Sequence, residues 1–434
     1  MTPTLVRRLR PALALPVSLF ASAALAEDAA PVLDTGNTAW LLTSTALVLM
    51  MTLPGLALFY AGLVRAKNTL SLFMQCLVSA GVVGVLWILV GYSLAFGTGN
   101  AFIGDLSKMG LTGIEPATLW GTYGIPEYVF VMFQAMFAII TPALMIGAFA
   151  ERMRFGPYLA FIILWLLCVY CPLAHMVWGG GWIGVMGAKD FAGGLVVHMS
   201  SGYSALVAAL YLGKRRGFGK EPMPPHNVPF AVIGAGLLWV GWFGFNAGSE
   251  LMADGIAGLA FLTTSTAAST ALVTWMAIEW IHRGKPTVLG AATALVAGLV
   301  AITPACAFVT PMGSIAVGAG VSVFCYAACT FLKPMFGYDD SLDVFGVHGV
   351  GGTWGALATG IFIAPFALPE GVTVGQQVFT QIKSILFTAI FAPTVTIVIL
   401  LVLRAVFGKL RVSDEAEYEG LDLAEHSETA YTTS

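Results

Sequence analysis

Charge is scarce in this chain: 20 Lys and Arg and 23 Asp and Glu among 434 residues, against 58% hydrophobic residues and a mean hydropathy of +0.86. A water-soluble domain of that length could not cover its surface with polar groups from such a supply. The formal net charge of -3 offers no basic excess for a nucleic acid partner. Cysteine is also sparse. Cys76, Cys168, Cys171, Cys325 and Cys329 lie in apolar runs and Cys306 in an ITPAC turn, which excludes a disulfide framework and favours small-residue packing. The CxxC of Cys168 and Cys171 lacks the polar surroundings and further ligands of a zinc or redox site. Neither an HExxH nor a serine-histidine-aspartate order occurs, so an intramembrane enzyme has no support, and no cofactor or metal is expected.

What is abundant is glycine, 50 residues, together with long apolar runs. Glycine-rich faces let helices approach closely where lipid removes the hydrophobic drive. The pattern predicts an all-α polytopic membrane protein with eleven spans, at 38–63, 70–97, 127–150, 157–178, 193–213, 228–248, 255–281, 287–303, 309–332, 344–364 and 375–407. Basic residues fall in alternate loops: Arg65 and Lys67, Arg152 and Arg154, Lys214 to Lys220, Arg283 and Lys285, Lys333, then Arg404, Lys409 and Arg411 in the tail. The positive-inside rule therefore predicts an N-terminus outside and a cytoplasmic C-terminus. Five spans, five more in inverted orientation and a final bracing span form the inverted-repeat plan of many transporters.

Ahead of these spans, Arg7, Arg8 and Arg10, the apolar run from Ala12 to Phe20 and Ala24-Leu25-Ala26 read as a cleaved signal peptide of residues 1–26. An uncleaved extra helix is the other reading, weakened by an apolar stretch too short to span comfortably. The transport domain is then 27–407. The tail, 408–434, carries seven acids from Asp414 onward and no Lys or Arg beyond Arg411, a composition read as a solvated segment or one that docks on a partner. His226 and His282 are read as loop residues without partners, and His175 as packed or bonded to a carbonyl.

Two stretches hold the chemistry: DFAGGLVVH, Asp190 to His198, and DVFGVHG, Asp343 to Gly349. Ionisable side chains in hydrocarbon are expensive, and two with the same Asp-before-His order suggest a conduction path. Entering from opposite faces, His198 lies about 12 Å below Asp190 and His348 about 8 Å above Asp343, near one depth. Each histidine could instead simply pack against a neighbouring helix. Asp190 fits an N-terminal cap better than a proton acceptor. A second group is aromatic: Phe133 and Phe137 in FQAMF, Trp178 in HMVWGGG, and Ser249 in GWFGFNAGS. Ring faces attract a small cation by about 0.5 to 2 kcal/mol each, and a hydroxyl accepts one hydrogen bond. Position alone favours an interfacial belt for Trp178.

GAFAERMRFG, AHMVWGGG, DFAGGLVVH, GWFGFNAGS, ITPAC, DVFGVHGV and EGLD together resemble the ammonium transporter family, to which Rhesus-type proteins are distantly related. The resemblance runs from the third span to the tail. It implies recruitment of ammonium by Phe137, Trp178 and Ser249, a gate and pore wall of Phe133, Phe137, Phe245 and Trp242, and a pore-lining pair His198 and His348, with Asp190 supporting the outer site. It further implies ammonium, ammonia and methylammonium as substrates, a homotrimer in the bacterial inner membrane, electrogenic uptake for nitrogen assimilation, and a cytoplasmic PII signalling protein as partner of the tail. A sensor built on the same pore is the rival reading, although only a short tail follows the last span. Glu250 departs from the family's small residue after the serine, and is read as facing outer water.

Overall fold

The computed structural model describes residues 31–431; the expected signal peptide lies outside the described residues. Among these, eleven apolar helices form one bundle. They are α1 (Thr35–Leu63), α2 (Ala66–Phe96), α3 (Glu127–Phe149), α4 (Phe155–Val185), α5 (Gly194–Leu212), α6 (Val228–Glu250), α7 (Gly255–Arg283), α8 (Val288–Ile302), α9 (Pro311–Phe336), α10 (Phe345–Gly349 running into Val350–Ile361) and α11 (Val374–Phe407). A two-stranded ribbon, β1 (Leu119–Trp120) with β2 (Ile125–Pro126), sits in the α2–α3 connection.

Helix starts follow capping chemistry. Asp254 accepts from the Ile256 and Ala257 amides ahead of α7, Thr287 from Gly290 ahead of α8, and Thr373 with Gln376 forms a reciprocal capping box ahead of α11. Burial assigns positions in the bundle. The α3 sequence is apolar all round and is 83% buried in its central window, against 28% for α2, so α3 is central and α2 presents a wide apolar face outward. The eighth helix is the shortest, 15 residues or about 22 Å, and ends in the turn that holds Thr303 to Cys306.

The two repeats interlock through α5 and α10. At Gly202 an added Cβ would stand 2.2 Å from the Gly349 amide nitrogen, so the two helices meet backbone to backbone and no larger residue fits.

Alternate loops gather on one face, as the sequence predicts. There Glu151 pairs with Arg65 at 2.5 Å and Arg215 at 3.5 Å, Arg215 pairs with Asp339 at 2.8 Å, and the fully buried Arg152 donates to the Asp339 carbonyl at 2.6 Å. Burial opposes the charged forms of Glu151 and Asp339, yet Arg215, together with Arg65 at Glu151 and Arg152 at Asp339, outweighs it and holds both carboxyls below their ordinary range.

The tail packs against its own chain rather than extending into solvent. It folds into α12 (Asp414–Glu419) and α13 (Leu421–His426) and bonds its own chain. Asp422 accepts from the Leu70 and Ser71 amides at 3.0 and 2.8 Å, Glu425 from the Phe155 amide at 2.8 Å, and Glu417 from the Arg216 amide at 2.6 Å. The acidic composition was read without its targets: exposed helix N-termini and arginines on this same face. His226 likewise has partners, the Val64 carbonyl at 2.9 Å and the Tyr431 hydroxyl at 3.0 Å, and His282 belongs to α7, with the Tyr326 hydroxyl at 2.7 Å.

Candidate functional site

Opposite the basic face, a cavity of about 320 Å³ is lined by Phe137, Trp178 and Ser249, with Gln134, Tyr123 and Phe191 beside them. The Trp178 indole is fixed by donation to the Asp190 carbonyl at 2.8 Å and stands edge-on to Phe137, centroids 6.1 Å apart. The Ser249 hydroxyl donates to the Phe245 carbonyl at 2.8 Å, leaving its oxygen lone pairs to accept. Trp178 is thus part of a built recess rather than a lipid-facing belt. Glu250 is half-buried, beside the cavity rather than among the residues lining it.

Below the cavity the rings close the path. Phe137 stacks on Phe245 at 4.1 Å, Phe133 meets Phe137 edge-on at 5.0 Å, and all three are buried. Next come the histidines. His198 stacks on Trp242 at 5.4 Å and lies 6.1 Å from Phe245, and its Nδ1 is 3.2 Å from Nδ1 of His348. His348 lines a second cavity of about 130 Å³, together with Tyr60, Leu63, Met223 and Asp343, on the basic side. The aromatic residues and histidines singled out in the sequence thus form one run of contacts from the first cavity to the second.

Both histidines occupy π-helical turns, Gly194–Met199 and Phe345–Gly349, a local widening that frequently marks functional sites. Asp190 organises the first. Its carboxylate accepts from the amides of Gly193, Gly194, Leu195 and Val196 at 2.6 to 3.2 Å, which is the capping role. Burial pushes this carboxyl up despite the opposing pull of the four amides. The sequence reading matched Asp190 with Asp343, and that pairing needs correction. Asp343 is turned to Lys333 at 2.8 Å with a left-handed φ of 58°, and the cap of the second π turn is Asp340, whose carboxylate accepts from Phe345 at 2.7 Å. Two acids three residues apart obscured which one counted.

Two contributors were missed. Gln134 carries a buried side-chain oxygen with no hydrogen-bond partner among the described residues and lines the recess; a lone amide inside an apolar span, between Phe133 and Phe137, was the available signal. Thr303, inside the quoted ITPAC, takes the Trp242 indole N–H at 2.9 Å and stands 3.3 Å from His198 Nε2. Its single proton goes to the Leu299 carbonyl at 2.8 Å, so His198 Nε2–H must donate to it. His198 Nδ1 is then an acceptor, His348 Nδ1–H donates to it, and His348 Nε2 is left as a bare lone pair.

The bundle and this line of side chains define a multi-pass α-helical membrane transporter. The chain belongs to the ammonium transporter family: residues 39–431 match the model of the Ammonium Transporter Family. It is 48% identical over 406 residues to an ammonium transporter of Bacillus subtilis, covering 92% of this chain and 99% of that protein. It is 49% identical over 424 residues to an ammonium transporter of Aquifex aeolicus, with 96% and 97% coverage. Among solved structures, a "Sensor Amt Protein" superposes with a TM-score of 0.85 at 31% identity, covering 90% of this chain and 98% of that one. Saccharomyces cerevisiae Mep2 gives 0.81 at 36% identity, with 88% of each chain covered.

Proposed function

We propose that ammonium is held in the recess of Trp178, Phe137 and Ser249, gives up its proton there, and crosses as ammonia past Phe133, Phe137 and Phe245 to the pair His198 and His348. The carrying observation is the single line of aromatic and imidazole groups joining two cavities through the stacked Phe137 and Phe245. Ring faces and a lone-pair oxygen suit a small cation, whereas a buried, unpaired ammonium ion beyond the rings would be prohibitively costly. Neutral ammonia needs only single donors and acceptors, which the imidazoles offer. Transfer of the released proton by its own route makes uptake electrogenic.

The recess faces the outside and the basic face the cytoplasm of a bacterial inner membrane, in keeping with the loop charges. The working unit is a homotrimer, methylammonium is a second substrate, and the tail answers a cytoplasmic PII-type protein. A sensor reading draws support from the similarity to the "Sensor Amt Protein".

Current on a solid-supported membrane after an ammonium pulse tests the proposal. Current with ammonium and methylammonium but not sodium or potassium supports charge-coupled transport. Internal pH change without current would instead mean neutral ammonia conduction, and silence in both would favour the sensor.

A further inference from the structure

The eleventh helix stands outside both repeats, yet it carries two buried glutamines, Gln377 and Gln381, four residues apart on one face. Polar amides inside an apolar span are costly unless their groups are bonded. Gln381 meets that condition in full. Its Oε1 accepts from the Lys189 amide at 2.8 Å and from Gln377 Nε2 at 3.3 Å, while its own Nε2 donates to the Lys189 carbonyl at 2.8 Å and the Ala356 carbonyl at 3.0 Å. Both amide protons and both oxygen lone pairs are thus engaged. Gln377 Nε2 also donates to the Gly187 carbonyl at 3.1 Å. Gly360 of α10 lets the side chain in, since an added Cβ there would stand 3.2 Å from Gln381 Cγ and 3.0 Å from Val378 Cα.

Lys189 is held in both directions, as a neighbouring strand would hold it, and the next residue is Asp190. The Asp190 carbonyl fixes the Trp178 indole, and its carboxylate caps the π turn that carries His198. Residues 188–193 form neither helix nor strand, so the placing of Asp190 depends on bonds such as these, with one more from the Phe191 amide to the Pro304 carbonyl at 3.2 Å. Ala356 lies on α10, eight residues beyond His348. One side chain of the bracing helix therefore joins the segment that shapes the recess in the first half to the histidine helix of the second.

Granted recruitment of ammonium at Trp178, on which this rests, we infer that Gln381 is a positioning residue for that step. By clamping the Lys189 peptide groups it fixes where Asp190 presents its carbonyl, and so how the Trp178 ring faces the recess. The bracing helix is then part of the outer site without touching the substrate.

Ammonium-pulse currents, together with ¹⁹F spectra of the full-length protein labelled with 5-fluorotryptophan, test this. Q381L keeps the bulk and removes all four bonds. It is expected to raise the ammonium concentration for half-maximal current about fivefold, the worth of one hydrogen bond, and to shift the Trp178 resonance, assigned by its loss in W178L. W178L/Q381L should need no more ammonium than W178L, because both changes act through one ring. T396V alters a buried, bonded position 15 residues further along α11 and controls for helix packing, so both readouts should keep their wild-type values. Q377L leaves the Lys189 bonds intact and should move both readouts as Q381L does, but less; it stands in for Q381L if that variant does not reach the membrane. Additive effects in W178L/Q381L, an unmoved Trp178 resonance in Q381L and Q377L, or an equal rise in T396V overturns the inference. The ¹⁹F spectrum needs no transport, so a wild-type protein without ammonium current would refute recruitment while the clamp on Trp178 is still read directly.

Discussion

Asp190 and Asp340 stand in the same relation to the histidine pair: each lies eight residues before its histidine, and each carboxylate accepts the amide proton of the fifth residue after it, Leu195 at 2.8 Å and Phe345 at 2.7 Å. They are the same cap in two inverted halves, yet their surroundings differ. Asp190 has four amides, whereas one Asp340 oxygen is buried without a partner among the described residues.

Burial pushes Asp340 up to about 6, with Lys333 pulling it down and Asp343 adding to the rise. A folded-state value above the unfolded one, about 3.9, means that the folded protein binds the extra proton. Stability from this group is therefore full below about pH 4 and declines as pH rises through about 6. Asp340→Asn should remove a protonated-carboxyl infrared band that titrates near pH 6 and flatten the stability change over that interval. A band that persists in the variant would assign the proton elsewhere.

Glu151 and Asp339 have the opposite sign. Arginine neighbours hold them low, so their contribution is present above the unfolded carboxylate range and is lost on acidification through the depressed values. Removing one partner from a buried network of this kind costs about 3 to 5 kcal/mol. Glu151→Gln should lower the midpoint of SDS-induced unfolding at neutral pH by a corresponding amount, with the gap to the wild-type protein narrowing in acid.

Gly420, at φ 109°, lies against Lys67, where an added Cβ would meet the carbonyl oxygen at 2.5 Å. Gly420→Ala combines backbone strain of about 1 to 3 kcal/mol with that clash, so the tail should detach. Faster protease cleavage between Ser413 and His426 with an intact helical core is the expected result; unchanged cleavage would mean that Asp422 and Glu425 hold α13 without α12.

At the recess, Trp178→Leu removes one ring face. With cation–π attraction of about 0.5 to 2 kcal/mol, the ammonium concentration for half-maximal current should rise about 2- to 30-fold. Protein amount in the membrane should not change, because the indole supplies a single hydrogen bond to the Asp190 carbonyl.

Thr303 sets the tautomers. In ¹⁵N solid-state spectra the wild-type protein should show His198 protonated at Nε2 and His348 at Nδ1. Thr303→Ser should keep that pattern, whereas Thr303→Val, which removes the acceptor, should scramble it. An unchanged spectrum in Thr303→Val would show that the pair orders itself.

Much of the architecture was legible because a membrane leaves few options: apolar runs of spanning length must be helices, and loop charge alternates with their direction. The line of contacting rings was legible because His198, His348 and Trp178 are conspicuous in apolar text. Asp340 was not, since Asp343 lay nearer to His348 and only the π turn reveals which acid caps it. Where the tail packs was not legible either, for a different reason. Its acids bond main-chain amides of Leu70, Ser71 and Phe155, and sequence does not display which amides a fold leaves open.

The contact of Gly202 with Gly349 bears on how this molecule works as a mechanism. Two helices that touch main chain to main chain have no compressible layer between them at that point. The spacing of the two histidine-bearing turns beside that contact is therefore set by peptide geometry, with no side-chain layer to give way.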